Sequence, residues 1–483
     1  MFARHLVAVA LVGSISIVAF AAEPRIEVTP TGQKVIVEAS ATDGTVVTRG
    51  GGVPYGTSPD WQNTLRRQVS GLVIADVNGD NWNDLIVGCY QSQSYPPYPD
   101  WENLIYFNVG GELEAEPSWI SSDEVHTNDV AVGDLNGDGF PDIFSANGGS
   151  AFSPSRIYWG SATGPSTTPG WTATLPMASW ATAVALFDVD NDEDLDVMTT
   201  NQGVSPLPFR PMYMFYNNGS GPASSPGWQS AEESIQSAVA AGDYNNDGWI
   251  DIAVSKWSNG FESGIYHNAG GSLQTTPIWT TGVSDTDKGV AWADVDGNEW
   301  LDLALGHDPT RLYSNTGGAL SLTWSAVGTH FGHQDLKFCD VDRDGWPDLA
   351  EIHFSNGKVQ IYRNNAGVLD ASPTWVYDSP AAGTAIAFGD INGDGWDDLA
   401  AGFSGQPCIS IFYAQPPALE VGDLNCDGRI NVFDIDPFVL ALTDETGYAA
   451  EYPYCDWHLA DINGDGSVNV FDIDPFVAVL TGG

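Results

Sequence analysis

The chain has 483 residues, which is too long for one ordinary globular core and predicts at least two domains. It carries 63 acidic residues against 16 basic ones, a formal net charge of -47, which makes nucleic acid a poor partner because phosphate binding needs clustered Lys and Arg. Since 42% of the residues are hydrophobic and aromatic residues are abundant, composition also argues against disorder.

A short apolar run near the N-terminus predicts a signal peptide. Residues 1–5 include a basic side chain, residues 6–20 are apolar, and Ala21 and Ala22 are small residues suited to cleavage. No later stretch is long and apolar enough to span a bilayer, so the sequence predicts no transmembrane segment. We therefore expect a signal peptide over 1–22 and a secreted protein, extracellular or associated with the cell surface.

Seven copies of one pattern fill residues 58–414. Each copy has an apolar run, an Asp-rich loop, a second apolar run and an aromatic strand ending in small residues. The loops begin at Asp76, Asp134, Asp188, Asp243, Asp294, Asp340 and Asp390. Strand-only repeats of about fifty residues are typical of propeller blades. The sequence therefore predicts an all-β, seven-bladed β-propeller, preceded by an N-terminal extension over 23–57 that the pattern does not place.

The ends of the array predict how the ring closes. The seventh repeat stops after its third strand, near Ala414, where its fourth strand is missing. The Pro-x-Trp start of that strand appears instead before the first Asp loop, as Ser58-Pro-Asp-Trp61. Pairing this segment with the last blade leaves no open sheet edge, so we expect an N-terminal strand to close the propeller.

The Asp-rich loops have the spacing of calcium ligands. Side-chain oxygens stand at positions 1, 3, 5 and 9, and position 7 offers a backbone carbonyl, as in an EF-hand loop. Hard carboxylate and amide oxygens suit Ca²⁺. The predicted ligands are Asp76, Asn78, Asp80, Trp82 and Asp84; Asp134, Asn136, Asp138, Phe140 and Asp142; Asp188, Asp190, Asp192, Asp194 and Asp196; Asp243, Asn245, Asp247, Trp249 and Asp251; Asp294, Asp296, Asn298, Trp300 and Asp302; Asp340, Asp342, Asp344, Trp346 and Asp348; and Asp390, Asn392, Asp394, Trp396 and Asp398.

Position 6 of the loops distinguishes the seven sites. It is glycine in four loops, but Asn81, Glu193 and Glu299 occupy it in the first, third and fifth. The turn needs a left-handed backbone conformation, which Asn tolerates and Glu adopts at a cost. We therefore expect weaker or differently shaped sites in the third and fifth repeats.

The repeat array resembles the FG-GAP/VCBS family, whose members include the propellers of integrin α chains. The resemblance rests on the Asp-x-Asp/Asn-x-Asp-Gly-x-x-Asp loops, as in the stretch Val132-Gly-Asp-Leu-Asn-Gly-Asp-Gly-Phe-Pro-Asp-Ile143, and it covers roughly residues 58–414. It implies a propeller fold with structural Ca²⁺ in the loops. No nucleophile motif appears in the sequence, and the obvious carboxylates are assigned to Ca²⁺, so no catalytic residue is assigned.

A different, duplicated loop follows in residues 415–483. Each copy has twelve residues with oxygens at positions 1, 3, 5, 9 and 12, then the same Ile-Asp-Pro-Phe-Val run, which predicts a helix. The predicted calcium ligands are Asp423, Asn425, Asp427, Arg429, Asn431 and Asp434, and Asp461, Asn463, Asp465, Ser467, Asn469 and Asp472. The duplication resembles a type I dockerin, a small α-helical adaptor that binds a cohesin domain. The resemblance implies a cohesin-like partner contacting Val432, Phe433, Val470 and Phe471; alternatively, these four side chains form the module's own core.

All five cysteines lie beyond the predicted cleavage site, where export permits disulfides. Cys426 and Cys455 share the C-terminal module and are the preferred pair. Cys89 and Cys408 lie in the first and last repeats, which a closed ring makes neighbours, so they are a second candidate pair. Cys339 then remains as a small buried residue.

The loops opposite the Asp turns form the candidate ligand face. They carry aromatic, amide and basic residues suited to sugar binding, although the same residues also fit an ordinary packed surface. The ligand-face candidates are Tyr95, Tyr98, Trp101, His126, Trp257, Lys288 and His333. We predict a non-catalytic recognition or adhesion module for glycan or protein; the alternative is a polysaccharide lyase or hydrolase, in which a histidine or lysine serves as the base.

Overall fold

The structure is a computed structural model that describes residues 53–90, 101–148, 153–203, 209–257, 260–284, 286–327, 332–415, 420–426, 430–452 and 455–480, and the backbone of two earlier strands. These strands, β1 (Arg25–Val28) and β2 (Lys34–Val37), form an antiparallel pair. The predicted signal peptide lies outside the described residues. No helix in the described ranges is long and apolar enough to cross a membrane.

Seven four-stranded antiparallel sheets form the predicted seven-bladed propeller. Blade 1 consists of β4 (Val69–Ala75), β5 (Asp84–Cys89), β6 (Leu104–Tyr106) and β7 (Trp119–Ile120). Blade 2 consists of β8 (His126–Gly133), β9 (Asp142–Gly148), β10 (Arg156–Tyr158) and β11 (Trp171–Thr172). Blade 3 consists of β12 (Trp180–Phe187), β13 (Asp196–Gln202), β14 (Tyr213–Phe215) and β15 (Trp228–Gln229). Blade 4 consists of β16 (Gln236–Gly242), β17 (Asp251–Lys256), β18 (Gly264–Tyr266) and β19 (Trp279–Thr280).

The remaining blades repeat this order. Blade 5 consists of β20 (Val290–Ala293), β21 (Asp302–Leu305), β22 (Arg311–Thr316) and β23 (Ala319–Ser325). Blade 6 consists of β24 (His333–Cys339), β25 (Asp348–His353), β26 (Lys358–Tyr362) and β27 (Trp375–Asp378). Blade 7 consists of β28 (Gly383–Gly389), β29 (Asp398–Phe403), β30 (Ile409–Phe412) and, from the front of the chain, β3 (Trp61–Gln62).

The predicted ring closure is confirmed. β3 pairs antiparallel with β30, with Trp61 opposite Ile411, and supplies the fourth strand of blade 7. The contact extends upstream of the Pro-x-Trp segment, since Tyr55 forms a β-bridge with Ala414. The first and last repeats are therefore joined by backbone pairing.

The Trp and Tyr signatures of the repeat pack against each other between blades. A Trp of each fourth strand meets, edge to face, an aromatic ring of the third strand of the next blade. The pairs, with centroid separations of 5.1–6.4 Å, are Trp61–Tyr106, Trp119–Tyr158, Trp171–Phe215, Trp228–Tyr266, Trp279–Tyr313, Trp324–Tyr362 and Trp375–Phe412. Such contacts add to the apolar burial that holds neighbouring sheets together, which explains why both residues recur in the sequence.

The second strands are the most deeply buried elements. In β5, β9, β17, β25 and β29 every residue is buried, and these strands are rich in apolar residues because each faces a neighbouring blade on both sides. Cys89 and Cys408 lie in one apolar cluster between blades 1 and 7 as free thiols, so the expected pairing between them is wrong. Asn63 donates to the Cys408 sulfur at 2.9 Å instead. Cys339, expected to be buried, is partly exposed.

Short helices form the C-terminal part of the chain. They are α1 (Ile435–Thr443), α2 (Glu445–Glu451) and α3 (Ile473–Leu480), with 3-10 turns at Val432–Asp434, Trp457–Ala460 and Val470–Asp472. The stacked rings of Phe438 and Phe476, 4.1 Å apart, lie in their shared core. The structure links Cys426 to Cys455 by a disulfide, the preferred pair from the sequence.

Candidate metal loops and the opposite face

Each propeller loop connects the first and second strands of its blade and folds around its first aspartate. In blade 7, Asp390 accepts a hydrogen bond from Gly395 N at 2.8 Å, and Asn392 accepts one from Asp394 N at 2.9 Å. The bond between the position 1 carboxylate and the position 6 amide recurs in all seven loops at 2.8 Å. The loops thus share one geometry, with the oxygens of positions 1, 3 and 5 gathered within a single turn.

The aspartate at position 9 anchors each loop from inside the protein. All seven of these residues are buried, and each accepts a hydrogen bond of 2.6–2.8 Å from the amide of the second residue after the third-strand aromatic. Burial raises the pKa of every one of these carboxyls, to about 6 for Asp142 and about 8 for Asp348. In blade 4, the buried Oδ2 of Asp251 has no hydrogen-bond partner within the described ranges. Burying carboxylates without a matched positive charge is costly, and a bound cation removes that cost.

Three loops already bring three carboxylates together. Within the described part of the chain, possible ligand atoms lie within 4.8 Å of one another in the triads Asp188, Asp190 and Asp192; Asp294, Asp296 and Asp302; and Asp340, Asp342 and Asp344. Two of these triads belong to the third and fifth loops, which have glutamate at position 6.

Basic side chains enter two of the loops, a feature absent from the sequence analysis. Arg363 Nε lies 2.6 Å from Asp342 Oδ2 in the sixth loop. His267 Nδ1 lies 2.9 Å from Asp251 Oδ1 in the fourth. Both basic residues directly follow the third-strand tyrosine. The repeat pattern shows this position, but it does not indicate that the side chain points into the loop.

Glutamate at position 6 adopts the conformation that glycine adopts elsewhere. Glu193 and Glu299 have φ of 73° and 68°, against 85° for Gly345. The backbone bond to position 1 is retained, so the third and fifth loops keep the shape of the others. The expected difference between these two loops and the glycine-containing loops therefore reduces to backbone strain. That strain is about 1–2 kcal/mol for a residue with a Cβ.

We expect Glu299→Gly to raise the free energy of unfolding by about 1 kcal/mol, because glycine adopts the left-handed conformation without steric cost. The matched reverse change, Gly345→Glu, should lower it by about the same amount, since a Cβ at Gly345 meets no atom within 4 Å and only the backbone term changes. Urea unfolding of both variants provides the measurement. A loss of stability in Glu299→Gly contradicts the expectation.

A buried asparagine links each of five loops to the loop of the preceding blade. Its side-chain NH₂ donates at 2.6–2.8 Å to the position 2 carbonyl of that preceding loop. The pairs are Asn108–Ile391, Asn217–Leu135, Asn268–Val189, Asn315–Tyr244 and Asn364–Val295. Because its own amide donates to the position 9 aspartate, each asparagine fastens two consecutive loops together. Gly160 and Ala414 replace it in blades 2 and 7.

Asn364→Ala is expected to lower the free energy of unfolding by about 2–4 kcal/mol, since three hydrogen bonds of a buried side chain are lost. These bonds run from Asn364 Nδ2 to Val295 O and Pro347 O, and from Gly367 N to Asn364 Oδ1. The adjacent Asn365 is exposed and its side chain donates to the carboxylate of Asp370, so Asn365→Ala is the matched control. Chemical denaturation of both variants tests this; equal effects would show that the buried bonds carry no special weight.

The last predicted ligand of each C-terminal loop, at position 12, anchors the loop from inside the module. Asp434 and Asp472 are fully buried, and each accepts amide bonds from both ends of its loop. In the second loop Asp461 accepts from Gly466 N at 2.8 Å. Asp427 and Arg429, predicted ligands of the first loop, lie outside the described residues. Both loops continue directly into α1 and α3, as expected.

Three stretches, residues 76–145, 134–199 and 340–401, match the FG-GAP-like repeat. These stretches of the propeller are similar to the FG-GAP-like repeat. Among curated proteins, mouse (Mus musculus) integrin alpha-7 is 24% identical over 219 residues, 41% of this chain and 16% of that protein. Integrin alpha-3 of Cricetulus griseus is 32% identical over 127 residues, 22% of this chain and 12% of that protein. The chain thus spans less than a fifth of the length of these relatives.

Solved structures support the fold alone. A chain in the crystal structure of BBS1N in complex with ARL6DN, soaked with lead, superposes with a TM-score of 0.52 at 14% identity, covering 76% of this chain and 99% of that one. A chain of the mitotic checkpoint complex superposes with a TM-score of 0.50 at 12% identity, covering 77% and 95%.

The face opposite the Asp loops carries two separate aromatic and basic groups. Trp101 packs edge-on against the buried His126, with centroids 4.7 Å apart. Lys288 Nζ lies 4.5 Å from the ring centroid of Trp257. Tyr95 and Tyr98 lie outside the described residues, and of His333 only the backbone is described, in β24. The ligand-face candidates thus include two paired contacts, one between blades 1 and 2 and one between blades 4 and 5.

Acidic residues at the inner rim join blades. Asp129 Oδ2 accepts a hydrogen bond from Val184 N at 3.0 Å, and Asp335 Oδ2 accepts one from Ile386 N at 3.1 Å. Each acid follows a β-bulge in its innermost strand and reaches the same point of the next blade. These carboxylates are engaged by neighbouring backbone, which favours a structural role for them.

The four predicted partner-binding residues of the C-terminal module are exposed. The exposed fractions are 65% for Val432, 46% for Phe433, 69% for Val470 and 74% for Phe471. The module's core is built from other residues, among them Phe438, Tyr448 and Phe476. The alternative that these four side chains form the core is therefore wrong.

Proposed function

We propose that this protein is a secreted calcium-binding propeller that recognises a glycan or a protein without catalysis, tethered through a dockerin-like module to a cohesin-like partner. The observation that carries the proposal is the division of the propeller into two faces. The Asp loops, with their buried carboxylate anchors, occupy one face, and exposed aromatic and basic side chains occupy the other. Recognition modules concentrate function in loops held by a rigid scaffold.

The loops fit Ca²⁺ by their chemistry. Their donors are carboxylate and amide oxygens with a backbone carbonyl at position 7, the set that Ca²⁺ prefers. The buried, unpaired Oδ2 of Asp251 and the carboxylate triads of the third and fifth loops indicate negative charge that a cation would balance. The ion's contribution there would be to stiffen the turns. Integrin α chains, which share the repeat, also favour a recognition or adhesion role.

Binding and turnover assays test the function together. The full chain in calcium buffer should bind members of a glycan array or an extracellular protein, and Trp257→Ala should weaken binding if that part of the face is used. Incubation with acidic and neutral polysaccharides should release no product. Measurable turnover would support the lyase or hydrolase alternative and contradict the proposal.

The tether makes a separate prediction. Because Phe433 and Phe471 are exposed, the double change to Ser should alter the free energy of unfolding by less than about 1 kcal/mol. The same change should abolish binding to a panel of cohesin domains, measured by calorimetry. Phe438→Ser, in the module's core, is the contrasting variant and should unfold the module. Undiminished cohesin binding by the double variant would exclude this surface.

A further inference from the structure

Three consecutive blades converge on the ammonium group of Lys288. Lys288 precedes the innermost strand of blade 5; Trp257 follows the second strand of blade 4, and Phe354 follows the second strand of blade 6. Lys288 Nζ lies 4.5 Å from the Trp257 ring centroid and 6.0 Å from that of Phe354. It donates to Gln334 Oε1 at 2.9 Å. The side chain is thus held between two aromatic residues from different blades.

Both rings remain open to solvent. Trp257 is 48% exposed and Phe354 is 47% exposed, large fractions for aromatic side chains held in place by a neighbouring cation. The ammonium lies near both rings, and the exposed part of each ring surface is available to a ligand.

The charge of Lys288 is not neutralised by a carboxylate of the described residues. Three other lysines are paired: Lys256 with Glu232 at 2.7 Å, Lys337 with Asp335 at 3.3 Å, and Lys358 with Asp378 at 3.5 Å. The adjacent Asp287 is buried and bonded to His307 Nδ1 at 2.8 Å. Burial lowers the pKa of Lys288 to about 8, so the group is mainly protonated at neutral pH.

An unpaired cation is unusual in a chain with a net charge of -47. The Asp loops concentrate carboxylates on the opposite face of the propeller, and at physiological salt charges more than about 8 Å apart in solvent are largely screened. A single anionic group can therefore approach Lys288 despite the net charge.

We propose that Lys288, Trp257 and Phe354 bind the carboxylate-bearing sugar units of an acidic polysaccharide. The ammonium pairs with the carboxylate, and the exposed rings pack against the C–H face of the sugar. A uronic acid unit carries both features on one ring, whereas an acidic peptide offers the carboxylate without the flat C–H face. This inference rests on the proposed recognition function and names its ligand class.

Calorimetry with the full chain in calcium buffer tests the site, using trigalacturonic acid and its fully methyl-esterified, neutral counterpart. The wild type should bind the acid about tenfold or more tightly than the ester, since a charge-assisted contact is lost on esterification. Lys288→Met, which keeps the stem but removes the charge, should bind the two equally. Trp257→Ala should weaken binding of both.

Lys358→Met removes a paired surface lysine and is the matched control; it should leave the preference for the acid intact. Melting temperatures of all variants confirm that they fold. Equal binding of acid and ester by the wild type, tighter binding of a tri-aspartate peptide, or no binding of either sugar overturns the site. Binding of another glycan that survives Lys288→Met would overturn this inference while leaving the recognition function in place, whereas release of unsaturated sugar would overturn only the non-catalytic function.

Discussion

Chelation of Ca²⁺ is expected to lower the melting temperature of the protein by about 10 °C or more. Each site occupied at a hundredfold excess over its Kd adds about 2.7 kcal/mol to the free energy of unfolding, and the sequence has nine candidate loops. The position 9 carboxyls are buried and their pKa values are raised by desolvation, as at Asp398, where the value reaches about 7. Without a bound cation, these buried carboxylates destabilise the folded state.

Thermal unfolding followed by circular dichroism, before and after EGTA, measures this effect. Restoring Ca²⁺ should restore the melting temperature, and the same concentration of Mg²⁺ should restore less, because Mg²⁺ demands a stricter octahedral shell and dehydrates reluctantly. Asp378→Ala removes an exposed acid outside the loops and should not change the size of the shift. A melting temperature unaffected by EGTA, with no Ca²⁺ detected by native mass spectrometry, would falsify the calcium proposal.

Most of the propeller was predictable because one pattern is repeated seven times. A signal that is weak in a single blade, such as Pro-x-Trp at the start of a fourth strand, becomes reliable when it recurs at the equivalent position of successive repeats. The displaced Trp61 is the clearest case, since its place in the pattern predicted its pairing with the last blade. The fourth strand of blade 2 is only Trp171–Thr172, the two residues that pair with the third strand.

The contacts between loops were not predictable from local pattern. Asn108 and Ile391 are 283 positions apart, and Asn364 and Val295 are 69 apart. The sequence signal for this contact is an asparagine two residues after the third-strand aromatic, which recurs in five repeats. Its function depends on the angle between neighbouring blades, and that angle is fixed only once the ring is closed.

In the C-terminal module the sequence left two alternatives open for Phe433 and Phe471. A Val-Phe pair after a calcium loop is equally consistent with a small core and with a partner surface. The structure excludes the core alternative, because Phe438 and Phe476, five residues further along each copy, stack with each other within the core, whereas Phe433 and Phe471 are exposed; the partner surface stays a proposal.

Removal of the closing strand should have the second large effect. A chain that begins at residue 65 lacks β3 and the residues before it, and should lose about 10 kcal/mol of stability relative to a chain that begins at residue 53. Several backbone and side-chain bonds are lost, among them Asp60 N to Ile411 O at 2.8 Å and Tyr55 OH to Asp397 O at 2.6 Å. The edge-to-face contact between Trp61 and Tyr106 is lost as well.

The shorter chain leaves an unpaired strand, β30, at the edge of blade 7, so aggregation should accompany the loss of stability. Light scattering and thermal unfolding compare the two chains, and Trp61→Ala in the longer chain provides a milder variant that should still fold. Its expected loss is about 3–5 kcal/mol, the range for removing a packed tryptophan. If the shorter chain melts within a few degrees of the longer one, pairing of the chain ends does not hold the ring, and contacts between the innermost strands of blades 7 and 1 must suffice.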